Sequence, residues 1–332
     1  MDRRRAHRWG PETDGDVRRR AGVRRLAVAA ALALALVPGS ARADDRGRPA
    51  DPGLDRGRSG EPGSDAVPLV WNPRWHRFRG VEYAATGFLL AGAFGSLLIP
   101  PAPTPWSGRN GFDESVRDAI RIDAGVGREA ARDASDILIS THLAYPIFVD
   151  ALVVAWSRRG SADVGWQMAA MDFEVYAATA FANGLTSALS SRERPYGRDC
   201  PADEARQNED CRQNKRYRSF FSGHASTAFA SAAVSCLHHQ RLELYGGGAP
   251  DVVACATGFV TAGATAFLRV AADQHYASDV LIGAAVGTSI GLGLPYVLHY
   301  RASEPARRHG AGLDVEVALV PTVGGLSATG TF

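Results

Sequence analysis

Arg269-Val270-Ala271-Ala272-Asp273-Gln274-His275-Tyr276-Ala277-Ser278-Asp279 is a short polar stretch between two apolar runs, residues 252–268 and 280–298. Long runs rich in Ala, Gly, Leu and Val favour helix, so this stretch reads as the turn where one helix hands over to the next. His275 and Asp279 are four apart, which on a helix places them on one face. A carboxylate bonded to one imidazole nitrogen fixes the tautomer and leaves the other nitrogen basic and aimed. That is one way to make a nucleophilic histidine. Taken alone, the pair also fits an ordinary His–Asp contact at a helix start.

Working outward, Phe221-Ser222-Gly223-His224 opens the apolar run 222–237. Ser222 is a capping residue type, Gly223 lets a ligand approach the backbone, and the free amides of a helix N-terminus favour an anion. A histidine there can give a proton to a leaving oxygen. Arg194-Pro195 ends the run 168–189, and Arg269 ends the run 252–268. Guanidinium forks match phosphate oxygens better than ammonium groups do. A single arginine at a helix end is usually a solvated residue. Taken as a set, Arg194, Ser222, Gly223 and Arg269 form an anion cradle, with His275 as nucleophile, Asp279 as its orienter and His224 as general acid.

Further apolar runs cover 83–99 and 137–156, and an amphipathic, charged stretch covers 114–134. The fold expected is an all-α bundle of about six main helices. Several runs are about as long as a bilayer core requires, yet they carry Asp150, Asp172, Glu174 and Asn183. Charges inside a span are costly and face the bundle interior, so a membrane bundle and a soluble one both fit. His142 and Asp150 read as a buried polar contact. His238 and His239, neighbours that do not share a helix face, read as surface residues. No cluster shows metal-ligand spacing.

The chain has 332 residues, is 45% hydrophobic and carries a net charge of only +2. No basic stripe interleaved with aromatics is present, which argues against nucleic acid as a partner. At the front, Arg18-Arg19-Arg20 and Arg24-Arg25 precede the apolar run 26–37 and the small residues of Ala41-Arg42-Ala43. This reads as a secretory signal over 1–43, cleaved after Ala43, with a retained anchor as the alternative. Residues 44–68, rich in Asp, Arg, Gly and Pro, read as a linker. The helical domain then runs over 69–300 and begins with an aromatic segment, 68–78, that suits either a bilayer edge or plain packing. The tail 301–332 alternates apolar and polar residues around Gly324-Gly325 and reads as a β-hairpin. Cys200 with Cys211 and Cys236 with Cys255 could each close a short loop, which suits an oxidising compartment, with four unpaired thiols as the alternative. If the signal is cleaved and every later run spans, the Arg194 loop faces the cytosol, against a Cys200–Cys211 bridge. A first run that does not span, or a wholly periplasmic bundle, removes the conflict.

The three short motifs together resemble the phosphatidic acid phosphatase type 2 (PAP2) superfamily, which includes bacterial non-specific acid phosphatases and vanadium-dependent haloperoxidases. The family pattern is Lys-x6-Arg-Pro, then Pro-Ser-Gly-His, then Ser-Arg-x5-His-x3-Asp. The likeness covers residues 137–300. It implies that Arg194, Ser222, Gly223 and Arg269 hold phosphoryl oxygens and that His275 becomes a phosphohistidine. It further implies that His224 protonates the leaving alcohol, that Asp279 orients His275, and that no metal or other cofactor is needed. The implied substrates are phosphomonoesters. The apolar bundle and aromatic segment suit phospholipid phosphates at a membrane. The signal and the Cys200–Cys211 loop suit a site on the periplasmic side, in an inner-membrane or periplasmic protein. A haloperoxidase holding vanadate, or a weakened homologue that binds lipids or anions without turnover, are the alternatives. Three positions depart from the pattern: Ser187 stands at the Lys, Phe221 at the Pro and Leu268 at the Ser. Arg192, Arg198, Lys215, Arg216 and Arg218 are the cations near enough in sequence to replace the lysine.

Overall fold

Helix α1 covers Gly80–Ser96 and α2 Gly111–Ile120. Helix α3 runs over Gly125–Ala144 and continues in wider, π-type turns through Tyr145–Arg158. Helices α4 (Ala162–Ser190), α5 (Gly223–Leu242) and α6 (Ala249–Ala271) follow. Helix α7 covers Ala277–Pro295 and ends in a π-type turn, Tyr296–Tyr300. The computed structural model describes residues 67–201, 209–211, 213–301 and the strand segments 316–322 and 325–331, a few of them by backbone alone. The described residues belong to one compact unit, Gly63–Phe332, and the other unit, Met1–Pro62, lies outside them. So do the expected signal over 1–43 and nearly all of the expected linker. In the tail, strands β1 (Glu316–Thr322) and β2 (Gly325–Thr331) pair antiparallel with Thr322 opposite Gly325.

The six expected main runs each correspond to a helix, and the further stretch 114–134 is divided: its front forms α2 and its rear joins the run 137–156 in α3. The chain turns extended at Arg121 and restarts at Gly125. The cause lies in the junction quoted first. Asp273 takes both Arg117 (2.6 and 2.7 Å) and Arg121 (3.0 Å), and the Ile122 amide donates to the Ala271 carbonyl at 3.0 Å. The break is thus anchored on the end of α6.

Helix α5 is the central post, packed by α3, α4, α6 and α7. Its face residues are small: Ala225, Ala228, Ala230 and Ala233 are all fully buried. Gly283, Gly287 and Gly291 of α7 lie against it. A Cβ at these positions would stand 2.8, 2.0 and 2.3 Å from the carbonyl oxygens of Ser222, Ser226 and Ala230. Small residues at every fourth position let two helix backbones touch. The crossing sets the start of α7 beside the start of α5, where the Ser222 amide donates to the Asp279 carbonyl at 3.0 Å.

Outer faces are apolar. Phe148, Val153, Val260, Phe267, Leu281 and Ile282 are exposed. Three helical stretches, Gly125–Arg158, Ala249–Ala271 and Ala277–Tyr300, are long and apolar enough to cross a membrane. Both expected disulfides form, Cys200–Cys211 and Cys236–Cys255. The aromatic segment before α1 packs: Trp71 and Phe78 are buried, and the rings of Trp71 and Trp75 meet Tyr300 at 5.6 and 4.8 Å.

That same end of the bundle corrects two readings. His238 and His239 are not surface residues but fully buried. As far as His239 no residue of α5 is exposed, so neighbours pointing different ways both end inside. His238 bonds Tyr300 Oη at 2.7 Å and Asp172 at 3.3 Å. His239 bonds Asp251 at 2.5 Å and stands 3.4 Å from Asp150. His299 bonds Glu174 at 3.0 Å. Asp150 does not meet His142. It accepts from Ser235 and Tyr245, while His142 lies 3.2 Å from the Thr261 hydroxyl.

Candidate active site

At the opposite end, the last residues of α1, α4 and α6 and the first of α5 and α7 converge. Between them is a cavity of about 220 Å³. Of the seven site residues expected from sequence, five line it: Arg194, Gly223, His224, Arg269 and His275. Ser222 and Asp279 do not.

His275 is buried, and its partners dictate its tautomer. Nδ1 is 2.8 Å from the Ser219 carbonyl, which only accepts, so Nδ1 carries the hydrogen. Nε2 is 3.1 Å from Arg194 Nη1, which only donates, so Nε2 presents its lone pair. Burial, reinforced by the positive charges of Arg194 and Arg269, holds the imidazole pKa well below the ordinary histidine value. The ring is therefore a free base.

Asp279 departs from the expected direct contact. Its carboxylate is 3.7 Å from His275 Nδ1, too far for a hydrogen bond. It accepts instead from the Ser219 hydroxyl (2.6 Å), the Tyr276 amide (3.0 Å) and Arg192 (2.5 Å). Asp279 thus holds Ser219, and the Ser219 carbonyl holds His275.

His224 stands at the first turn of α5, with Nε2 2.8 Å from Asp136 Oδ1. The same carboxylate oxygen accepts from Arg269 at 3.2 Å. Burial lowers the His224 pKa, and Arg269 and Arg194 lower it further, against the pull of Asp136. Sequence reading missed Asp136, which fell in the gap between the expected segments 114–134 and 137–156. Only its position one face away from the motif helices marks it, and that position is visible in space alone.

Ser222 is fully buried, and its hydroxyl caps α5 by accepting from the Ala225 amide at 3.4 Å. The cap is as expected, but the hydroxyl lies behind the cavity wall. Gly223 is required for space: a Cβ there would come within 2.9 Å of Asn183 Oδ1, whose amide is committed to the Phe221 carbonyl at 2.6 Å. Arg269 is buried and reaches Ser135 at 3.2 Å besides Asp136. Arg194 is held through carbonyls, those of Lys215 and Gln274, each at 3.0 Å, and burial lowers its pKa.

Ser187, at the family lysine position, also lines the cavity, with its hydroxyl turned back to the Gly184 carbonyl at 3.1 Å. Of the five cations near enough in sequence to replace that lysine, Arg218 alone lines the cavity. Arg192 lies between Asp113 (2.6 Å) and Asp279 (2.5 Å), with Trp106 and Tyr276 rings each 4.4 Å from its guanidinium carbon. Arg198 pairs with Glu114, Arg216 with Glu193, and Lys215 Nζ lies 3.8 Å from Asp210. No carboxylate among the described residues lines the cavity. Among the described residues, no group of three or more His, Cys, Asp or Glu is arranged to hold a metal ion.

Three guanidiniums, a helix N-terminus and a basic imidazole nitrogen around one cavity can hold a tetrahedral oxyanion and attack its centre, with a second imidazole to pass a proton. Among curated proteins, none matches this chain. Among solved structures, the chain is similar to the first transmembrane PAP2 type phosphatidylglycerolphosphate phosphatase from Bacillus subtilis, at 18% identity and a TM-score of 0.42, over 64% of this chain and 92% of that one. The family model of the PAP2 superfamily matches residues 173–303, the stretch that carries Arg194, His224, Arg269 and His275.

Proposed function

We propose that the protein is a phosphatase that releases phosphate from phosphomonoesters, lipid phosphates above all, through a phosphohistidine. The observation that carries this reading is the fixed tautomer of His275, whose Nε2 lone pair meets a guanidinium in a cavity that no carboxylate lines among the described residues. The phosphoryl oxygens lie against Arg194, Arg269 and the Gly223 end of α5. His275 Nε2 attacks phosphorus as the ester P–O bond breaks, and His224 gives its proton to the departing oxygen. Water then attacks phosphorus, His224 takes a proton from it, the P–N bond breaks and inorganic phosphate leaves. Donors fixed in place before the reaction stabilise the charge that builds on the equatorial oxygens. The reaction is therefore written with no cofactor.

Three helices of spanning length and an apolar outer surface support a membrane-embedded bundle. A phosphate carried on a lipid meets such a cavity at the end of the bundle. The Cys200–Cys211 bridge beside it supports an oxidising compartment for that end, after export.

The test is phosphate release by the full chain in detergent from a panel of lipid and soluble phosphomonoesters, with and without EDTA, for wild type and His275→Ala. Turnover by wild type in EDTA, lost in the variant, supports the reading. Equal release by both proteins removes His275 as nucleophile, and loss of wild-type turnover in EDTA removes the metal-free mechanism.

A further inference from the structure

We propose that Arg218 is a phosphate-holding residue of the cavity and supplies the cation missing at Ser187; this rests on the phosphatase reading above. Ser187 and Arg218 line the same cavity from two sides, one from the last turns of α4 and the other from the chain leading into α5. One arm of the Arg218 guanidinium is anchored. Nη2 donates to the carbonyls of Ser96 and Ile99, each at 2.9 Å, and lies 3.4 Å from that of Leu97. The other arm, Nη1, is buried and meets no acceptor among the described residues. A buried donor left unpaired is costly. Arg192 and Arg198 each leave one at Nε, but of the candidate cations Arg218 alone sets its free donor on a residue that lines the cavity.

The anchor explains how a cation can be kept here without a carboxylate. The last carbonyls of a helix carry partial negative charge, and the end of α1 offers them to Nη2. Each of the other four candidate cations has an acidic side chain as its partner, whereas Arg218 meets none among the described residues. Burial accordingly lowers its pKa. A phosphate oxygen arriving in the cavity gives Nη1 its acceptor. The substitution is therefore of geometry as well as position: a planar fork, held by one arm, replaces a flexible ammonium.

The experiment measures inorganic phosphate binding by calorimetry, with KM and kcat for phosphomonoesters and the thermal midpoint in parallel. The proteins are wild type, Arg218→Ala, Arg218→Lys and the double variant Arg218→Ala/Ser187→Lys, all full-length in detergent. Arg218→Ala is expected to weaken phosphate binding about ten- to hundredfold, the worth of a charged hydrogen bond. Ser187→Lys is expected to recover binding in that background, although the α1 anchor stays absent. Unchanged phosphate binding in Arg218→Ala overturns the proposal. So does a loss that neither Ser187→Lys nor Arg218→Lys recovers, which would make Arg218 only a tether for α1. Wild type that binds phosphate but releases none from any ester sinks the phosphatase reading and leaves the Arg218 assignment standing. Wild type that binds no phosphate sinks both.

Discussion

The two ends of the bundle hold similar side chains to opposite effect. Around His238, His239 and His299, each buried imidazole has a carboxylate within 3.3 Å, from Asp172, Asp251 or Glu174. Around His275, the imidazole faces a guanidinium, and none of the cavity-lining residues is acidic. Burying polar groups is tolerable when they satisfy one another. At the first end each imidazole is matched by a carboxylate, while Asp172 Oδ2, His239 Nε2 and His299 Nδ1 make no further hydrogen bond among the described residues. The second leaves like charges together and has room for the anion that would balance them. The lesson is that the balance of partners, more than the presence of histidines, separates a structural network from a reactive one.

The contrast breaks first at His275. Its replacement by Ala is expected to lower kcat/KM by about a thousandfold or more, as loss of a nucleophile does. The thermal midpoint should fall only modestly, because the bonds to the Ser219 carbonyl and Arg194 are lost but no favourable charge pair is. A large fall in the midpoint would place His275 with the structural histidines. The mirror experiment is Asp172→Ala, which strips His238 of its carboxylate. It should destabilise the fold by about 2–3 kcal/mol, read by denaturation in detergent, with kcat/KM per folded molecule unchanged. A selective loss of activity would mean that the two ends are coupled.

Asp136→Asn sharpens the comparison, because Asp136 is the carboxylate that stands nearest the reactive end. His224 must be protonated to act as the acid. Burial and the arginines already lower its pKa, and Asp136 opposes them. Removing that opposition lowers the pKa further, so the fall of kcat/KM with rising pH should begin at a lower pH. At neutral pH the loss should be about tenfold. A pH profile identical to that of wild type would show that Asp136 serves only Arg269. The smallest effect is expected for Ser222→Ala. The helix cap is worth about 1 kcal/mol of stability, while KM should hold, since the hydroxyl lies behind the wall. A marked rise in KM would put the hydroxyl on the substrate after all.

Arg194, Gly223, His224, Arg269 and His275 were legible because local spacing sets them at helix ends, and helix ends are where this fold meets. The contact between Ser219 and His275 was not legible, since a backbone carbonyl leaves no mark in side-chain pattern. Asp279 was found, but its action passes through that carbonyl. Asp136 and the break between α2 and α3 both depend on partners that arrive from distant segments, Arg269 and His224 in one case and Asp273 in the other. His238 and His239 were misread for a related reason. A local period says which side of a helix a residue takes, but not that α5 is covered on every side as far as His239.

The glycine seam between α5 and α7 has a mechanical consequence. Helices that touch through their main chains have no layer of side chains to shear, so the Gly223 end of α5 gives the cavity a stiff wall toward a bulkier ligand. Any adjustment to ligand size falls instead to lining side chains outside that seam, such as Leu97, Asn183 and Arg218. A stiff base beneath side chains that can differ would let one backbone frame take ligands of different size.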